Sequence, residues 1–173
     1  LSSGYPDVRY ITADVGAPGL ADDNRRDRRV RNQVQRAVAR VYNRLVTEAT
    51  TPYVWVLEDD ILPPDNVCEQ LLKGFGPNVA SVAGVYASRY DGQPCVWNEQ
   101  HRPLPSRPSG VEDVYGNGFG CVILRGGVLR DTVFRAPDDF DRTFYRQVHE
   151  RGLTARVDWS VKCEHRNAVE DSQ

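Results

Sequence analysis

The sequence predicts one α/β domain, a mixed and mainly parallel sheet with helices on both faces. Three observations carry that expectation. Residues 53–57, YVWVL, are a β-rich run without alternation, the pattern of a strand covered on both faces. Apolar residues at helical spacing fill the stretch immediately before it, residues 25–50. Strand-type and helix-type segments alternate through the first half of the chain, and strands cluster in the second. At 173 residues the chain is long enough for one domain with a real core and short for two.

Residues 8–14, VRYITAD, alternate and read as a strand ending at Asp14, followed by the Gly/Pro loop VGAPGLADDN. The long helix over 25–50 has Val30, Val34, Ala37, Val41, Leu45 and Ala49 as its buried stripe. Pro52 closes it before the strand at 53–57. Pro64 and Asp65 open a second helix over 65–75, with Val67, Leu71 and Leu72 on its apolar side and Gly74 and Gly76 as its stop. Residues 79–88 form another buried strand. The polar, Pro-rich passage 89–117 reads as a long functional loop, broken by Cys95-Val96-Trp97. Gly116, Gly118 and Gly120 lead into a strand over 119–124 and a short helix near 126–131. Residues 138–151 form a helix with Phe140, Phe144, Tyr145 and Val148 toward the core, and Gly152 ends it. Two short strands, 153–157 and 159–163, then lead to Cys163-Glu164-His165.

Hydrophobic residues make up 40% of the chain and charged residues 27%, and no apolar run approaches the roughly 20 residues that span a bilayer. The net charge of −2 argues against bulk attraction to nucleic acid. Residues 25–31, RRDRRVR, are nevertheless a basic cluster, either a solvated helix face or one turned toward phosphate. Cys68, Cys95, Cys121 and Cys163 are scattered without zinc or CxxC spacing. Three of them read as small buried residues, a reducing compartment is the simpler reading, and a cytoplasmic location is expected. The chain contains no Met and begins with Leu1, so a preceding segment is expected to have been cut away or to lie elsewhere.

The strand 53–57 runs straight into Glu58, Asp59 and Asp60, which places three carboxylates on the sheet rim where α/β folds bind ligands. Adjacent carboxylates repel unless donors or a cation hold them, and a hard divalent cation with a phosphate beyond it does so. A plain acidic turn is the alternative. Farther along, Asp141 stands eleven residues before Gly152, and His165 follows that glycine by thirteen. Taken singly, Asp141 is an acid favoured by a helix N-terminus and His165 a surface histidine.

Four features in this order resemble a GT-A glycosyltransferase of the family 2 type: the run from Asn43 to Asp60, the Gly-rich GNGFGCVILR, the acid opening a Gly-terminated helix, and the final histidine. The Glu-Asp-Asp form is also similar to N-acetylglucosaminyltransferases of that fold. The resemblance covers about residues 8–166 and lacks the family's first βα unit. It implies a Rossmann-like GT-A domain over 1–173, with 89–117 on the acceptor side. By the same likeness Asp60 and His165 ligate a divalent metal, Mn²⁺ or Mg²⁺, with imidazole suiting Mn²⁺ somewhat better. Asn43, Glu58 and Asp59 then contact the nucleotide sugar, Asp14 the nucleobase if it is not a plain loop acid, and Trp97 stacks on the sugar if it is not a packing residue. The family's acidic pair departs here to Phe140-Asp141, which leaves Asp141 or Asp139 as the catalytic base, with Asp141 favoured. Tyr42 replaces the family's Arg before the Asn, so the 25–31 cluster or Arg40 is left to hold the diphosphate.

The function so implied is a hexosyltransferase-type, metal-dependent, inverting transfer from a nucleotide-diphosphate sugar, taken as a UDP-sugar. The acceptor hydroxyl belongs to a glycan, a small molecule or a modified DNA base. A metal-dependent nucleotidyltransferase and a non-catalytic nucleotide-sugar or cation-binding domain are the rival readings. A further segment or a partner subunit is expected to complete the sheet.

Overall fold

The computed structural model describes residues 27–136 and 139–166. The expected strand 8–14 with Asp14, and Asp138, lie outside the described residues. Asp27 caps the first helix, α1 (Arg28–Glu48), its carboxylate accepting the Arg29 backbone N–H at 2.7 Å. The buried face of α1 differs from the expected stripe. Ala39 and Tyr42 are buried, Val38, Leu45 and Val46 pack beside them, and Val41 is 46% exposed. The helix is turned because Tyr42 offers more apolar area than the valines. Its ring stacks on Phe140 at 4.7 Å and meets Phe119 and Phe134.

The strand after α1, β1 (Tyr53–Leu57), ends at the acids, and β2 (Ile61–Leu62) follows them. Next come α2 (Val67–Lys73) and β3 (Val79–Val85), the latter buried along nearly its whole length. On α2, Val67 and Leu71 are buried as expected, but Leu72 is largely exposed. The passage 89–117 is less irregular than its composition suggested. It holds β4 (Val96–Trp97), β5 (Val111–Val114) and β6 (Gly116–Asn117). Then follow β7 (Cys121–Arg125), α3 (Gly126–Arg130) and α4 (Phe140–Glu150). Gly152 has φ +68°, the left-handed conformation a helix terminator needs. The two expected C-terminal strands are one continuous strand, β8 (Thr154–Lys162), followed by β9 (Glu164–His165).

The main sheet has the order β1-β7-β3-β8-β5. The α/β class is as expected and the sheet is mixed, but its parallel share is smaller. Among the described residues only β3 and β8 pair in parallel; β1–β7, β3–β7 and β5–β8 are antiparallel. Among the described residues β1 is an edge strand, which corrects the expectation that it is covered on both faces. Tyr53, Trp55 and Leu57 are each about 40% exposed, whereas Val54 and Val56 pack on the core. Helices do cover both faces. On one side Ala39, Leu129, Phe144 and Tyr145 of α1, α3 and α4 pack over Val122, Leu124 and Val157. On the other Val67 and Leu71 of α2 pack over Val82, Ile123 and Val161. No helix among the described residues is long and apolar enough to cross a membrane.

Candidate active site

Two small ribbons decide which side chains meet. Just beyond the rim of the main sheet, β2 pairs antiparallel with β9, Ile61 opposite His165 and Leu62 opposite Glu164. The Arg166 N–H also donates to the Asp60 carbonyl at 2.9 Å. Asp60 and His165, 105 positions apart, are thereby brought together, His165 Nε2 lying 3.2 Å from Asp60 Oδ2. Arg89, from the loop after β3, approaches the same oxygen at 3.9 Å. At the turn before them the Glu58 N–H donates to Gly120 O and the Ile61 N–H to Glu58 O, at 3.0 and 3.1 Å.

The second ribbon, β4 with β6, sets Trp97 opposite Gly116. A Cβ on Gly116 would lie 2.6 Å from Tyr145 Cδ2 and 2.8 Å from Trp97 Nε1, so only glycine fits there. Trp97 packs edge-on against Tyr145, and its indole N–H is buried without a partner.

Between these parts lies a cavity of about 890 Å³. Its walls include Glu58, Asp59, Asp60 and Arg89 from the sheet rim and the loop after β3, Asp139, Asp141 and Arg142 from the start of α4, and Trp97 and Arg31. Asp139 is the N-cap position of α4, and its carboxylate accepts from the Gln35 amide and pairs with Arg142 at 3.6 Å. Asp141, in the first turn of α4, keeps part of its surface toward the cavity. Burial pushes its carboxyl up to about 7; the charges of Asp139 and Glu58 add to the rise, and the Arg142 N–H and guanidinium oppose it.

The structure thus brings together Glu58, Asp59, Asp60, Trp97, Asp139, Asp141 and His165. Asn43 does not join them. Its amide donates to Phe134 O at 2.9 Å and accepts the Phe134 N–H at 3.0 Å, pinning α1 to the loop before α4. Of the basic residues proposed for the diphosphate, Arg31 lines the cavity and Arg40 does not. Sequence reasoning missed Arg89 and Arg142. Arg89 follows a strand that runs in the same direction as β1, so it reaches the same rim; that direction was the signal available for it.

The donor set at the Asp60 end fits a divalent cation. His165 Nδ1 lies 2.8 Å from the Ala87 carbonyl, which accepts only from a protonated nitrogen. In the neutral ring Nε2 then points a lone pair at the Asp60 carboxylate, two acceptors converging where a cation would sit. Among the described residues no third Asp, Glu, His or Cys completes such a cluster. Water and phosphate oxygens fill the remaining positions in sites of this kind.

The sequence model of "Glycosyl transferase family 2" matches residues 17–134, more than half of the chain. No curated protein sequence matches it. Among solved structures, the crystal structure of A197 from STIV is similar in fold, with a TM-score of 0.59 at 15% identity. The match covers 76% of this chain and 66% of A197, so the chain spans just under two thirds of that protein. The chain belongs to glycosyl transferase family 2 and has a GT-A-like α/β fold.

Proposed function

We propose that the protein transfers a sugar from a nucleotide-diphosphate sugar to an acceptor hydroxyl, with inversion at the anomeric carbon. The observation that carries this reading is one cavity lined by both Asp60, which has His165 against its carboxylate, and the proton-holding Asp141. Bound at Asp60 and His165, Mn²⁺ or Mg²⁺ would supply Lewis-acid stabilisation of the departing diphosphate. Arg89 and Arg31 add fixed positive charge along the path of that leaving group. Asp141 takes the acceptor hydroxyl proton as the oxygen bonds to the anomeric carbon and the bond to the diphosphate breaks. A carboxylate tuned to about 7 is matched to that task near neutral pH. Glu58, Asp59 and Trp97 are assigned to donor contacts, and Asp139 to holding the start of α4 through Gln35. The UDP-sugar remains the donor we favour.

The test is release of nucleoside diphosphate from a panel of nucleotide sugars with Mn²⁺ present. Wild-type protein should release it selectively, and Asp60→Asn or His165→Ala should abolish the metal response. Unchanged release by both variants sinks the metal assignment. Pyrophosphate as the product would point to nucleotidyl transfer, and donor binding without turnover to a non-catalytic domain.

A further inference from the structure

A second cavity of about 490 Å³ opens at the Asp139–Arg142 end of the first. It shares none of the residues at the Asp60 end. Two helix faces form its walls: Arg28 and Arg31 from the start of α1, and Arg142 and Arg146 one turn apart on α4. Among the described residues Asp139 is the one carboxylate on its lining, and it is engaged by Gln35 and Arg142. Four arginines thus line one small space in a chain whose net charge is −2.

At the start of α1 the Asp27 carboxylate is engaged by the Arg29 N–H. The first turn of α1 holds no acid, and its arginines sit at the positive end of the helix dipole. The Asp139 side chain makes no capping bond to α4. Thr143, on the same wall, is 2% exposed, and its buried hydroxyl has no hydrogen-bond partner. Such a group normally finds one. Departures of this kind concentrate where a ligand is bound. A phosphate supplies what is missing: acceptor oxygens for the hydroxyl and a shape that guanidinium forks match in pairs. Beside it Tyr115 lies flat on His149 at 4.2 Å, a face on which a sugar ring can rest.

We infer that this pocket receives a phosphate carried by the acceptor, so that the acceptor is a small molecule or glycan bearing both a phosphate and the reacting hydroxyl. The inference rests on the transfer reading for its orientation, with the donor at the Asp60 end and the acceptor beyond Asp141. A compact pocket between two helices favours a single phosphate over a nucleic-acid backbone, which needs a track of charges.

Two measurements test it. The first uses inorganic phosphate, titrated calorimetrically without divalent ions or sugar donor. Binding should weaken at least tenfold in Arg28→Gln/Arg146→Gln and survive in Asp60→Asn and in Arg28→Lys/Arg146→Lys. Equal binding by the Gln variant, or no binding by a wild type with an intact melting transition, overturns the proposal. So does salt-sensitive capture of a DNA 20-mer in place of phosphate. The second compares acceptors that differ only by a phosphate. The phosphorylated member should be preferred at least tenfold in kcat/KM, a preference the Gln variant erases, and equal use of both refutes the inference. Because the first measurement contains no donor, loss of the donor assay with phosphate binding intact would count against sugar transfer and leave the anion pocket standing.

Discussion

Asp141 holds its proton to about pH 7 because folding removes it from water beside two other carboxylates. As a base it must be ionised, so kcat/KM should climb about tenfold per pH unit below that value and level off above it. Asp141→Asn should lower transfer by ~10²–10⁴-fold while leaving donor binding measurable. The same shift sets a stability trend. The folded state binds this proton more tightly than the unfolded chain, whose carboxyl titrates near 3.8. Stability therefore declines as pH rises from about 4 through about 7 and is flat beyond, and melting curves of Asp141→Asn should lack that decline. Asn43 makes the opposite kind of prediction. Asn43→Ala leaves the Phe134 N–H and carbonyl unmatched and should cost about 1–3 kcal/mol in denaturant unfolding. Unchanged stability with weakened donor binding would restore it to the nucleotide site. That Asp60 and His165 meet, and that Asp141 joins the cavity, was legible because their residue types and separations follow the family's pattern. Arg89 and Arg142 were not, since an arginine in a polar loop or on a helix looks like any solvated charge until the rim it reaches is known.

At the level of elements, the sequence was misread where partners rather than propensities decide. The YVWVL run has strand composition, but composition does not say which neighbours it has. Val54 and Val56 turn to the core, while Tyr53, Trp55 and Leu57 on the other face stay half in water. Leu57→Ala should therefore cost about 1 kcal/mol or less, whereas Leu124→Ala, in the fully buried β7, should cost ~2–5 kcal/mol, both read from urea midpoints. Strand β5 was hidden because VEDV carries two acids. Its side chains answer to β8 instead: Asp113 pairs with Arg156 at 2.6 Å, and Glu112 accepts the Trp159 indole N–H at 2.8 Å. The turn of α1 was hidden because aliphatic periodicity ignores Tyr42, the residue with most to bury. Helix existence, the Gly152 stop and the core face of α4 were readable because they depend on local chemistry alone.

For the whole molecule, class and family were legible and topology only partly so, because pairing direction is a long-range property that short windows do not encode. The mixed sheet places one helical layer over each face and leaves one rim free for the cavity. Glu164 and His165 lie past the end of β8, outside both helix-covered cores, so a chain ending at Cys163 should keep cooperative unfolding yet lose any response to Mn²⁺ in a melting scan. Loss of the fold itself in that truncation would show that the β2–β9 ribbon is structural first. The ribbon has a further consequence, in time. It joins positions 61 and 165, so it cannot close before β8 has found its place between β3 and β5. Metal capture during refolding would then mark the final step of assembly, lagging behind the burial of Trp159 in β8.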